Sequence, residues 1–231
     1  MQILGYPLDT DPILLTLEVA TITAFALLLI GTPIAWWLAN MQSRARIFLE
    51  ALVALPLVLP PTVLGFYLII ALNPDGSIAQ FLKFFGITGQ LTFNKTGLVI
   101  GSAVYSFPFT VQPIMAAFEA LPTQIVDAAR TMRASFFDRF FTVIVPLARQ
   151  GFLIGVVLTF AHTVGEFGVV LMVGGNIEGV TRTVSIAIFD HVESLEYTEA
   201  HVLSILMVIF SLLVLMFVYG LNRRFQVKAD N

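Results

Sequence analysis

The sequence predicts an all-α, polytopic membrane protein of about five transmembrane helices, with the N-terminus outside and the C-terminus in the cytoplasm. Three observations predict it. Hydrophobic residues make up 58% of the 231-residue chain and charged residues 12%, and the mean hydropathy is +0.90. An average globular chain has roughly 45–50% and 25%, so these few charges cannot clothe a water-facing surface. Five apolar stretches each reach the length, about 20 helical residues, that crosses a hydrocarbon layer about 30 Å thick. Lys and Arg, finally, are shared unequally among the segments that join those stretches.

In chain order the stretches run from Ile13 to Leu38, Leu49 to Leu72, Gly97 to Phe118, Leu147 to Val173 and Val202 to Leu221. The first, LLTLEVATITAFALLLIGTPIAWWLA, is apolar on every face, as a helix in lipid should be, and lacks the short alternating pattern of a membrane barrel strand. It does not read as a cleavable leader, because no basic region precedes it and Asp9 and Asp11 do. Arg44 and Arg46 follow the first span; Arg130, Arg133, Arg139 and Arg149 lie between the third and fourth or at the base of the fourth; Arg223, Arg224 and Lys228 follow the fifth. That places nine of the twelve basic residues on one side, against Lys83, Lys95 and Arg182 on the other. Basic residues mark the cytoplasmic side.

Cysteine is absent, which excludes disulfides, thiolate catalysis, zinc–thiolate sites and iron–sulphur ligation. A net charge of −3 without a basic stripe points away from nucleic acid. No G-x-x-x-x-G-K-[ST] loop is present, so the chain is not expected to cradle a nucleotide through that motif, and no cytoplasmic segment is long enough for a catalytic domain, so no enzyme is expected. If ATP is consumed, another polypeptide hydrolyses it.

The cytoplasmic segment between the third and fourth spans is the most informative. Leu121-Pro122-Thr123 opens it, Ile125 to Met132 reads as a short helix, and Ser135 with Asp138 fits a capping box. Phe136, Phe137, Phe140 and Phe141 then lead to Pro146, which opens the fourth span. Two readings stand: an amphipathic interfacial loop, or a docking element where small Ala128 and Ala129 admit a partner surface.

Asp127-Ala128-Ala129, three residues, Arg133, nine residues and Val143-Ile144-Val145-Pro146 together resemble the EAA loop of ABC importer permeases. The family pattern has Glu-Ala-Ala, Gly at the position of Arg133, and Ile, any residue, Leu, Pro at the end. Gly165-Glu166-Phe167-Gly168, then Leu171 to Ile177, then Thr181-Arg182-Thr183 resemble the molybdate permeases of that class. Pro56 to Pro61 and Ser106-Phe107-Pro108 fit the same group. The resemblance implies a type I ABC importer permease fold and a single permease domain over 1–231, with a core of about 13–221 and a coupling loop of about 121–146. It implies that Asp127, Ala128, Ala129, Arg133 and Pro146 engage a cytoplasmic ABC ATPase dimer, which carries ATP and Mg. The chain itself is expected to hold no cofactor and no metal. The other implied partners are a second copy of the permease, an extracytoplasmic oxyanion-binding protein, and the lipid of a bacterial cytoplasmic (inner) membrane. At Arg133, either the turn adopts another geometry or the arginine contacts the ATPase.

The pathway residues follow from physics as well. Pro56, Pro60 and Pro61 break a span, which gives either a hinge lining the route or a static kink. Glu166 is the ionisable residue deepest in a span, and His162 one turn earlier shares its helix face, so the two are expected to pair. A dianion about 6 Å from a carboxylate is repelled by about 5 kcal/mol at an effective dielectric near 20. Glu166 is therefore read as a pin at a gate, holding a helix break between Gly165 and Gly168 beside Phe167, rather than as a ligand. Gly174-Gly175-Asn176 is either an anion nest or an ordinary turn. Thr181-Arg182-Thr183 brings the one outer arginine, which could meet an oxyanion or a carrier protein. Val184 to Phe189 can re-enter the membrane as a half helix. Asp190, Glu193, Glu196 and Glu199 make an acidic rim that favours delivery by a docked binding protein. Glu18 is placed near the outer interface. Tungstate or sulfate remains open as cargo. So do an ion-coupled secondary transporter, which would be expected to show repeats and a charged midplane site, and a membrane-anchored structural subunit.

Overall fold

The computed structural model describes residues 2–3, 6–7, 10–76, 80, 84, 90–131 and 135–227. Two short strands, Gln2–Ile3 and Tyr6–Pro7, pair antiparallel, and every longer described element is helical. The first helix, α1 (Asp11–Ala39), begins with a proline at its first turn, where no N–H is needed. Apolar all round, it nevertheless buries a single stripe that includes Leu15, Val19, Leu27, Gly31, Ala35 and Leu38.

The expected second span is two helices, α2 (Ala45–Val58) and α3 (Pro61–Leu72), bent by 109°. The prolines explain the bend. Leu59, preceding Pro60, is pushed into extended backbone (φ −70°, ψ 135°), and neither Pro60 nor Pro61 has an N–H to continue a helix. The third span is α4 (Lys95–Glu119), capped by the Asn94 side chain, which accepts from the Gly97 N–H at 2.9 Å. Next comes α5 (Thr123–Thr131), matching the expected short helix within a residue or two.

The fourth span starts earlier than its apolar run suggests. From α6 (Phe136–Arg139) the chain passes through a π-helical turn, Phe140–Ile144, directly into α7 (Val145–Gly165). Pro146 therefore does not open this span. A proline clashes with the carbonyl four residues back, and a widened turn upstream relieves that clash. The span also stops sooner than expected, at Gly165, and after two non-helical residues a short α8 (Gly168–Gly174) follows. Last come α9 (Val184–Glu193), where a half helix was expected, and α10 (Tyr197–Val227). By length and composition four of the described helices can cross a membrane, or five if the bent α2–α3 pair counts as one span.

The core is α1, α4 and α7. Leu15 and Val19 of α1 share a cluster with Leu98, and Gly31 meets Thr110 and Val111, so α1 and α4 run parallel. Gly151 packs at Ala117 and Thr159 at Thr110, so α7 runs antiparallel to α4. The contact face of α7 is Gly151, Gly155, Thr159 and Thr163, one buried residue per turn. Lipid supplies no hydrophobic drive between helices, so such stripes of small residues, which let backbones approach, do the packing. By contrast α10 is almost entirely exposed and stands off from α1 and α7 across an apolar cleft of about 640 Å³.

Candidate functional site

Two helix breaks lie side by side. A Cβ added to Gly168, at the start of α8, would sit 2.7 Å from the Pro61 Cβ at the start of α3. One turn along, a Cβ on Gly65 of α3 would sit 2.6 Å from the Met172 Cβ of α8. Glycine at each position lets the two half helices touch. Gly165 differs, because nothing lies within 4 Å of where its Cβ would be. There the second break faces open space.

Glu166 occupies that second break. Its backbone is extended (φ −69°, ψ 136°) and its N–H is donated to the Thr163 carbonyl at 3.3 Å. The side chain is 4% exposed, and neither carboxylate oxygen has a hydrogen-bond partner among the described residues. Ser102 of α4 is the polar side chain that bears on it, with its own hydroxyl equally unpartnered. The expected His162–Glu166 pair does not form. The helix ends at Gly165, so Glu166 leaves the i, i+4 register that would have aligned the two. His162 instead meets the Ser106 hydroxyl through Nδ1 at 2.9 Å and lies against Phe109 and Tyr105, with ring centroids 4.2 and 4.8 Å away.

These contacts belong to a polar seam along the α4–α7 interface. Ser106 also meets Thr163 at 3.0 Å, and Thr110 bonds Thr159 hydroxyl to hydroxyl. Hydroxyls satisfy one another there because lipid offers no alternative partner. Among the described residues no three His, Asp or Glu side chains gather as a metal site.

Beyond α8 the chain makes a turn. Gly175, at φ +70°, donates its N–H to the Leu171 carbonyl at 2.9 Å, and the Ile177 N–H goes to the Thr181 hydroxyl at 3.1 Å. Of the two readings for Gly174-Gly175-Asn176, the helix-ending turn is the one the backbone takes. Asn176 bonds Asp190 at 3.0 Å, and Asp190 also ion-pairs with Arg182. The lone arginine of this loop is therefore already matched within the chain, between buried Thr181 and Thr183. Part of the acidic rim is matched too, since His191 meets Glu196 at 2.7 Å. Glu18 pairs with Lys95 at 2.8 Å, and Val184 N–H donates to Thr16, fixing α9 on α1.

At the opposite end of the bundle lies the segment that resembles a coupling loop. Asp127 and Ala128 are exposed on α5 and Ala129 is half-buried. Ser135 caps α6 by accepting from the Asp138 N–H at 3.2 Å, as the sequence suggested. Pro146 is exposed at the start of α7, and Arg133 lies outside the described residues. Sequence reasoning missed what anchors this segment. The ring of Trp36, at the end of α1, lies edge-on to Phe118 (5.0 Å), Phe140 (6.0 Å) and Phe136 (6.4 Å). The four phenylalanines following Ser135 are a visible signal, but Trp36, the ring that gathers Phe136 and Phe140, sits a hundred residues upstream.

A family model described as "Binding-protein-dependent transport system inner membrane component" matches residues 31–229. The chain is 56% identical to the molybdenum transport system permease protein ModB of Azotobacter vinelandii, over 94% of this chain and 96% of that one. It is 36% identical to ModB of Escherichia coli K12 over 80% and 82%. To the sulfate transport system permease protein CysT of Salmonella typhimurium it is 32% identical over 84% and 70%. In three dimensions it resembles a bacterial ABC transporter involved in the import of the acidic polysaccharide alginate, with a TM-score of 0.70 at 15% identity, covering 93% of this chain and 78% of that one.

Proposed function

The chain belongs to the family of binding-protein-dependent transport system inner membrane components, and from that premise we propose that it is the membrane permease subunit of an ATP-driven molybdate importer. The observation that carries the cargo is the 56% identity to a molybdenum transport permease over nearly the full length of both chains. A sulfate importer is the second reading, supported by the 32% identity to a sulfate permease.

The permease performs no bond chemistry. A separate ATPase binds ATP and Mg and docks at Asp127, Ala128, Ala129, Arg133 and Pro146, with the N-terminus of the permease outside and this loop in the cytoplasm of a bacterial cell. A second copy encloses the route, and an extracytoplasmic binding protein delivers the oxyanion. ATP binding and hydrolysis bias the pair of permeases between outward- and inward-open states. Within each copy the proline break at Leu59–Pro60 and the glycine break around Glu166 act as the moving parts. Both lie where the ladder of helical bonds is interrupted, and they touch through Gly168 and Pro61. Glu166 pins the second break. It is given no cargo contact, since a charged carboxylate there would repel a dianion and a pin at the break requires no such contact.

Uptake of labelled molybdate into vesicles holding the complete complex, with and without ATP, tests this. ATP-dependent accumulation that excess sulfate does not suppress is expected. Accumulation without ATP refutes the ATP-driven reading, and stronger competition by sulfate than by molybdate moves the cargo to sulfate.

A further inference from the structure

We propose that Arg46 is a positioning residue for transport: it ties α2 to the end of α4 so that the proline-broken span follows the coupling segment. This deepens the importer reading and rests on it. Arg46 Nε donates to Glu50 Oε1 at 2.6 Å, one turn along the same helix, which fixes the plane of the guanidinium. Its Nη2 then ion-pairs with Glu119, the last residue of α4. One rigid fork thus holds two carboxylates on two helices.

Apart from this tie α2 meets the bundle by one apolar face, where Val53 and Leu49 join the cluster of Ala35, Leu38, Val111, Ile114 and Phe118. Of its fourteen residues only Val53 and Pro56 are buried. A cleft of about 520 Å³, lined among others by Leu38, Glu50, Val53, Gln112 and Met115, opens beside that face, so the packing between α2 and α4 is incomplete. Glu119 is also well placed to pass on motion. Its neighbour Phe118 packs against Trp36 and Phe140, the anchor of the coupling segment, with ring centroids at 5.0 and 6.3 Å. Successive helical residues point about 100° apart, so the last turn of α4 touches the coupling segment with one side chain and α2 with the next. From α2 the contacts continue over the break to α3, and from Gly65 and Pro61 to α8. A displacement of the coupling segment therefore reaches both helix breaks through contiguous contacts.

The absence of cysteine makes the test clean. Spin labels on Ile47→Cys and Gln124→Cys, both exposed positions, report the distance from α2 to the coupling segment in the complete complex. With Arg46 intact that distance is expected to be the same with and without ATP; with Arg46→Ala it should change with ATP. A distance that changes with Arg46 intact, or that stays constant in Arg46→Ala, overturns the tie. In uptake, Arg46→Glu and Glu119→Arg should each lower molybdate carried per ATP hydrolysed by about tenfold, within the usual range of coupling. The exchange Arg46→Glu with Glu119→Arg should restore it. Normal uptake by Arg46→Ala overturns the proposal. The label distance needs no cargo, so a wild-type complex that carries no molybdate would refute the molybdate reading while the labels still decide the tie.

Discussion

The two helix breaks sit against each other yet are made by opposite means. At Leu59–Pro60–Pro61 the chain cannot be helical, since two consecutive residues lack a donor and the one before them is forced to be extended. At Glu166–Phe167 nothing forbids a helix. Glycines flank the site and weaken helix there, and in the folded chain Gly168 packs on Pro61 while Glu166 is buried. The first is an obligatory joint and the second a conditional one. A conditional break can change conformation when its surroundings move, and that suits it to gating.

Removing the contact between them should have the largest effect. Gly168→Val places a branched side chain where a Cβ would already lie 2.7 Å from the Pro61 Cβ. Overpacking of this kind costs about 1–3 kcal/mol, and vesicle uptake should fall at least tenfold, with a lower unfolding temperature in detergent. Normal uptake would show that the breaks work independently. A smaller effect is expected from Glu166→Gln, which keeps shape and removes charge. The folded yield should hold while uptake falls several-fold; full activity with unchanged folding would take Glu166 out of the mechanism. The smallest effect should come from Thr110→Val in the seam next door, which leaves the Thr159 hydroxyl unpaired. Interhelical hydrogen bonds of this sort average about 0.6 kcal/mol, so a small drop in unfolding temperature and near-normal uptake are expected. Adding Thr159→Val should recover part of the loss, and a failure to do so would mean the seam is not held by that pair.

Much of this could be seen in the residues beforehand. The spans follow from apolar length, the Ser135 cap and the short α5 from local patterning, and the first break from its prolines. Gly165 and Gly168 point to the second break, but spacing alone puts Glu166 on the helix face of His162, where a pair is plausible. The i, i+4 rule applies only while the helix lasts, and where it stops depends on what α8 packs against. The fourth span was begun at Leu147 because apolar length hides a π turn that keeps Phe136 to Gly165 continuous. Arg46 was counted only as a positive charge marking a side, since its partner Glu119 lies 73 residues away.

By itself, then, the sequence determined that the chain carries four or five apolar stretches long enough to cross a membrane, where its most rigid interruption falls, and where a capped turn lies between two spans. Each of these is local, set by the length of an apolar run, a missing backbone donor or a capping side chain. Which face of each helix packs inward was left to the tertiary structure. A helix destined for lipid is apolar on all sides and its hydrophobic pattern favours no face. The choice falls to small residues and polar pairs, such as Gly31, Gly151, Thr110 with Thr159, and Arg46 with Glu119, which acquire meaning only once distant helices meet.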